Sequence, residues 1–226
     1  MKTFLLKAAL CCSLSLSAAA QVKVINEGFP GENTAELQPH MDEALRQFHP
    51  NIVILFAGTN DALNDRKLLP TAATATNLQH MVREISAAGA KPVLVQLHDP
   101  DMARLMLRHK PEAYGTMQPL ERLALVNKEI GRIARKEHAA LVPFNSLMRS
   151  EGGATQRLST DGVHLTAEGY GLLAQAIRAQ LPKQLPADTT IVCFGDSLTY
   201  GIGVRPPGNA PETPETYPAQ LRKLLR

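Results

Sequence analysis

The 226-residue chain has no tryptophan, and four tyrosines and six phenylalanines supply all of its remaining aromatic rings. Proteins that hold single-stranded nucleic acid stack bases on such rings and line the path with positive charge. Here 24 basic side chains stand against 21 acidic ones, so a net charge of +3 offers a polyanion little, and no nucleic-acid partner is expected. No apolar run reaches the ~20 residues that cross a bilayer, so no stable membrane span is expected either. Fifteen glycines and sixteen prolines are scattered along the chain, which removes collagen-like and low-complexity classes. At 44% hydrophobic residues, what is left is a globular chain able to bury a core without disulfides or metal.

Cysteine is scarce too, and two of the three, Cys11 and Cys12, fall in an N-terminal segment that reads as an export signal. Lys2 and Lys7 charge its start, Ala8 to Leu16 is apolar, and Ala18-Ala19-Ala20 places small residues ahead of Gln21. Residues 1–20 are therefore expected to be a signal peptide cleaved after Ala20, residues 21–226 a single domain, and the product secreted or periplasmic. A membrane anchor would need a longer apolar run, and a lipoprotein acylated at Cys11 or Cys12 would need a better triplet before it. Cleavage leaves 22 basic residues against 21 acidic ones, and charge then selects no partner. It also leaves Cys193 alone, so no internal disulfide can form. Within Thr190-Ile191-Val192-Cys193-Phe194, that cysteine reads as a buried small hydrophobe rather than a reactive thiol.

Five short apolar runs mark candidate strands: Val22 to Ile25, Ile52 to Ala57, Pro92 to Leu97, Ala140 to Phe144 and Thr190 to Phe194. Most are rich in Val, Ile and Leu with little alternation, the signature of strands covered on both faces. Candidate helices lie at Thr34 to Gln47, Thr71 to Ala88, Met117 to His138, Thr166 to Leu181 and Tyr217 to Leu225, with no internal repeat. This alternation predicts an α/β fold, a three-layer α/β/α sandwich around about five parallel strands. The Pro-rich stretches Pro182 to Asp188 and Pro206 to Pro218 read as loops.

In such sheets ligands gather beyond the carboxyl ends of the strands, and four ends carry suggestive residues. After the last strand comes Gly195-Asp196-Ser197-Leu198-Thr199, where a serine at a strand-to-helix turn can present both its hydroxyl and its backbone N–H; the same string is also an ordinary turn or helix cap. Gly58-Thr59-Asn60-Asp61 can aim an amide at a developing oxyanion, or merely form an Asx turn. Asn26-Glu27-Gly28-Phe29-Pro30-Gly31-Glu32 is a tight loop that can offer a glycine N–H or serve only as a turn. Asp161-Gly162-Val163-His164 can orient an imidazole with a carboxylate three residues earlier; a lone histidine there would more commonly be a surface or capping residue.

Taken together, the four blocks resemble the SGNH or GDSL hydrolases, and among them the secreted bacterial type with esterase, thioesterase and lysophospholipase activities. The resemblance implies the flavodoxin-like fold of that family. It implies Ser197 as nucleophile with its N–H in the oxyanion hole, Gly31 rather than Gly28 as second N–H donor, Asn60 as side-chain donor, and Asp161 with His164 completing a triad. In the family the serine block opens the chain, whereas here it follows the histidine block, so the sequence resembles a circular permutation. Tyr217-Pro218-Ala219-Gln220-Leu221 is then what should precede the Val22 strand, and the Thr190 strand should lie between the Val22 and Ile52 strands, with Pro92 and Ala140 outward in turn.

The implied chemistry is two-step acyl transfer on a small-molecule, lipid or carbohydrate ester, with no cofactor and no metal required. The same residues could serve an acyltransferase or a deacetylase acting on O-acetylated carbohydrate, and the same fold could serve as a non-catalytic binding module. His98-Asp99-Pro100-Asp101 has ligand chemistry without ligand spacing, so His98 is read as a possible pocket residue instead of a metal ligand. The other histidines, His40, His49, His80, His109 and His138, are expected at the surface. Asp99 to Gln118 reads either as a lid or acyl-binding wall or, by slight preference, as a helix packed on the sheet. Arg205 to Thr216 is the other variable loop near Ser197.

Overall fold

Five parallel strands form one sheet in the computed structural model, which describes residues 21–226; the expected export signal, residues 1–20, lies outside the described residues. They are β1 (Lys23–Gly28), β2 (Ile52–Phe56), β3 (Lys91–Val95), β4 (Ala140–Val142) and β5 (Thr190–Gly195), in the spatial order β1-β5-β2-β3-β4. Every residue of β2 is buried, as a strand covered on both faces requires. The last strand in sequence lies between the first two, pairing Ile25 with Val192 on one side and Val53 with the same residue on the other. This is the position expected for the Thr190 strand.

Helix placement follows from the hand of the crossovers. From β1 to β4 the chain steps across the sheet in one direction, and right-handed connections therefore put α1 (Thr34–Phe48), α3 (Thr71–Ala87) and α5 (Pro119–Lys136) side by side on one face. The return from β4 to β5 runs the opposite way, so α7 (Ala167–Gln180) lies on the other face, paired with α9 (Tyr217–Leu224). Asn33 opens α1 with a capping box closed by Glu36. Pro218 sits in the first turn of α9, where a missing N–H leaves no bond unmade.

Four shorter helices stand at strand ends or in connections: α2 (Thr59–Leu63), α4 (Met102–Leu105), α6 (Phe144–Ser150) and α8 (Ser197–Tyr200). β1 runs on to Gly28, past the expected Ile25, and two strands end two residues before the expected point. β3 ends at Val95 rather than Leu97, because Leu97 is bonded through both backbone groups to Asn127 of α5. Phe144, expected to end a strand, instead opens α6 and packs its ring edge-on against Phe56. Cys193 is fully buried in β5, and burial pushes its thiol far above the ordinary range, in keeping with a packing role.

Candidate active site

β5 delivers Ser197 to the carboxyl edge of the sheet. A Cβ on Gly195 would lie 2.0 Å from the Phe56 carbonyl oxygen, so only glycine lets β5 turn out this close to β2. Asp196 then caps α8, accepting from Leu198 N at 3.0 Å, and Ser197 is the first helical residue. Its backbone N–H has no acceptor among the described residues.

The loop before α7 brings the other half. Asp161 Oδ1 accepts from the backbone N–H groups of Val163 (3.0 Å) and His164 (2.8 Å), and this folds the loop so that Oδ2 lies 2.7 Å from His164 Nδ1. His164 Nε2 lies 3.0 Å from Ser197 Oγ. Gly162 has φ of +92°, and a Cβ there would press on the Asp101 carbonyl and on Arg104. Burial acts to raise the Asp161 carboxyl, but the hydrogen bond and charge of His164 and the two backbone N–H groups outweigh it, holding Asp161 well below the usual carboxylate range. It is an anion at any working pH.

Three groups fix this loop from behind. Ser159 Oγ donates to the His164 carbonyl at 2.8 Å, Thr160 N donates to the same oxygen at 2.9 Å, and His98 Nε2 meets the Val163 carbonyl at 2.8 Å. His98 is therefore no pocket residue: it is 3% exposed, and burial pushes it down to about 4, so it stays neutral and donates through Nε2. Its neighbours scatter, Asp99 pairing with Arg149 and Asp101 capping α4.

Asn60 and Gly31 form the opposite wall. Gly58 turns the chain with φ of +111°, and Asn60 follows in α2. The Asn60 amide donates to the Glu32 carbonyl at 2.8 Å and accepts from Asn64 at 3.1 Å, which leaves one of its two N–H donors free. Asp61, the next residue, is buried and ties α2 to the rest of the face through Thr34 N (3.0 Å) and Thr74 Oγ1 (3.1 Å). Gly31, at φ of +84°, has an N–H without an acceptor among the described residues. Gly28 sits elsewhere, so close beneath α8 that a Cβ would come within 2.0 Å of Tyr200 N.

Ser197, His164, Asn60 and Gly31 all border one cavity of about 400 Å³, walled by Leu63, Leu105, Val163 and Ile202. Arg108 and His109 border it too. The segment from Asp99 to Gln118 is thus not the regular helix preferred from sequence. It holds α4 and a 3-10 turn (Pro111–Tyr114) and forms a cap beside the cavity. His109, expected at the surface, is half-buried in that cap, 2.9 Å from Asp65, and His40 is half-buried against the ring of Phe29; His49, His80 and His138 are exposed. Sequence gave no sign of His98, Ser159 or Arg108 as partners of the loop, because each is met only in three dimensions.

A hydroxyl, an imidazole and a carboxylate in hydrogen-bonded series, at the carboxyl edge of a parallel sheet and facing unpaired N–H groups, mark an α/β protein built for acyl chemistry. The sequence profile of the GDSL-like lipase/acylhydrolase family matches residues 12–172, and the chain belongs to that family of ester-hydrolysing enzymes. It is 26% identical over 175 residues to the isoamyl acetate-hydrolyzing esterase of Saccharomyces cerevisiae, covering 74% of this chain and 73% of that one. It is 22% identical over 170 residues to an arylesterase of Vibrio mimicus, covering 75% of each chain. Among solved structures, a lipase/acylhydrolase from Enterococcus faecalis shares the fold with a TM-score of 0.55 and 24% identity, over 69% of this chain and 76% of that one.

Proposed function

We propose that the protein is a serine esterase that hydrolyses carboxylic esters through an acyl-enzyme. The observation that carries this reading is the unbroken series from Asp161 through His164 to Ser197 Oγ, with steps of 2.7 and 3.0 Å, opening on a largely apolar cavity. His164 Nε2 takes the Ser197 proton as Oγ attacks the carbonyl carbon, and the charge that develops on the carbonyl oxygen meets the N–H groups of Ser197 and Gly31 and the free Asn60 amide hydrogen. His164 then returns the proton to the leaving alcohol, and water repeats the sequence to release the acid. Asp161 holds the imidazole with its proton on Nδ1. No step calls for a metal or an organic cofactor.

Two further readings belong with this one. The family match ends at residue 172, before the serine block, which supports a circularly permuted chain whose order differs from the family's while its site does not. The leading segment supports export with cleavage after Ala20 and a secreted or periplasmic product.

The test is hydrolysis of a p-nitrophenyl ester series, acetyl to palmitoyl, with covalent labelling by a fluorophosphonate. Wild type is expected to turn over and to be labelled; Ser197→Ala and His164→Ala are expected to lose turnover, and Asn60→Ala to lose about 10²–10³ in kcat while keeping a measurable rate. Equal rates in wild type and Ser197→Ala would remove the nucleophile. Product analysis with added alcohol acceptors separates hydrolysis from acyl transfer.

A further inference from the structure

The cap is held at both ends. At its start Asp101 N donates to the Gly162 carbonyl at 2.9 Å, and the Arg104 guanidinium binds Asp101 Oδ2 at 2.9 Å, the Ser159 carbonyl at 3.0 Å and the Ala154 carbonyl. At its far end Asp65 accepts from Lys110 N at 3.1 Å, and the Tyr114 hydroxyl donates to the Leu63 carbonyl at 2.6 Å. Between these anchors Arg108 turns toward the cavity. Its Nη1 pairs with Asp161 Oδ2 and its Nη2 donates to the Asp161 backbone carbonyl at 3.2 Å, so one guanidinium grips one residue with two prongs. Oδ2 is the same oxygen that meets His164 Nδ1.

We propose that Arg108 is a positioning residue for the reaction: from the cap it shares the Asp161 carboxylate with His164, and by drawing on that charge it keeps the imidazole available as a base at lower pH. The proposal rests on the triad reading above. As a stability device the pair would count for little, since the Arg108 side chain is 37% exposed and such ion pairs are worth about 0–1 kcal/mol. Its place, on the oxygen that governs the base, is what gives it leverage.

The other charged or titratable groups facing this dyad do not substitute for it. His98, behind β3, is held neutral by burial. Tyr170 of α7 is buried, and burial keeps its phenol protonated. Asp196 of α8 is an acid, pushed up to about 6 by burial. Arg104 and Asp101 of the cap are paired with each other. Among the described residues, Arg108 is the cation in direct contact with the Asp161 carboxylate.

With Arg108 removed, the undiminished charge of Asp161 acts on His164 and favours the protonated imidazole. In Arg108→Gln the acid limb of kcat/KM for a p-nitrophenyl ester is therefore expected to move to higher pH by about half a unit to one unit. Arg108→Lys keeps the charge but not the two-pronged grip, and is expected to move the limb less than Arg108→Gln does. A second readout needs no turnover: the proton in the His164 Nδ1–Oδ2 hydrogen bond is expected to shift downfield in the NMR spectrum of Arg108→Gln, because the carboxylate oxygen has lost its competing donor. A purely architectural role would lower kcat/KM equally at every pH, with the limb and the resonance unmoved, and that result overturns the proposal. Absence of Ser197-dependent turnover would instead overturn the esterase reading, and the resonance would still decide the role of Arg108.

Discussion

Asp196 and His98 are both buried, and each has one polar atom, Oδ2 and Nδ1 respectively, lacking a partner among the described residues. Burial penalises charge on both, with opposite consequences for stability. Asp196 is raised from 3.8 to about 6, chiefly by burial. As pH rises, the unfolded chain gives up this proton first, so stability falls between about pH 4 and pH 6. His98 is lowered from 6.5 to about 4, again chiefly by burial. As pH falls, the unfolded chain takes up this proton first, so stability is lost between about pH 6.5 and pH 4. The two slopes offset one another in the wild type. Asp196→Asn keeps the acceptor that caps Leu198 and removes one slope. It is expected to be more stable than wild type at pH 7 by on the order of 2 kcal/mol, with the advantage fading toward pH 4. Urea unfolding at pH 4, 5.5 and 7 checks this, and a difference that does not change with pH would contradict it.

At the scale of elements, the chain leaving β3 is held by α5. Asn127 accepts from Leu97 N at 2.8 Å and donates to the Leu97 carbonyl at 2.7 Å, both contacts buried. Replacement by alanine leaves two buried backbone groups unpaired, so Asn127→Ala is expected to cost about 2–4 kcal/mol in denaturant unfolding; a loss below about 1 kcal/mol would mean that water or a shift of α5 replaces the clamp. This clamp was not legible in sequence, since a lone Asn on an otherwise amphipathic helix reads as an exposed position. The long elements were legible: α1 runs from Thr34 to Phe48 where the pattern ended at Gln47, and α3 from Thr71 to Ala87 where it ended at Ala88. They contain enough turns for a period to show, and β2 and β5 are apolar and buried almost throughout. The helices α2 and α8, which carry Asn60 and Ser197, span five and four residues and have no period to read. Those residues were found through the motifs around them. Arg108 was missed because nothing local distinguishes an arginine that will reach Asp161 from one that points to solvent.

On the scale of the whole molecule, chain order and spatial order disagree, and the disagreement can be tested. β5 comes last among the strands yet joins β1 to β2, so the two halves of the sheet meet only when the final segment is in place. The periodicity in the sequence established parallel strands but not their order; the order came from the resemblance, because the serine block carried its neighbours with it. One feature of the surface would make such a permutation physically easy. Val22, Lys183, Leu185, Leu225 and Arg226 border a single hollow, so the start of β1, the end of α9 and the loop between α7 and β5 lie together. A rearranged chain that begins near Ala187, runs to Arg226, continues through a few Gly and Ser residues into Val22 and stops after Leu181 requires only a short closure, and loop-closure cost grows slowly with length. It is expected to form the same sheet and to hydrolyse esters within about tenfold of the starting protein, since the site depends on geometry and not on the order of its residues. Deleting everything from Ala187 onward removes the partner that β1 and β2 share and is expected to give no cooperative unfolding transition. If the rearranged chain were soluble but failed to unfold cooperatively, the junction at residues 182–188 would be part of the core and not a simple connection, and the permutation reading would lose its structural basis.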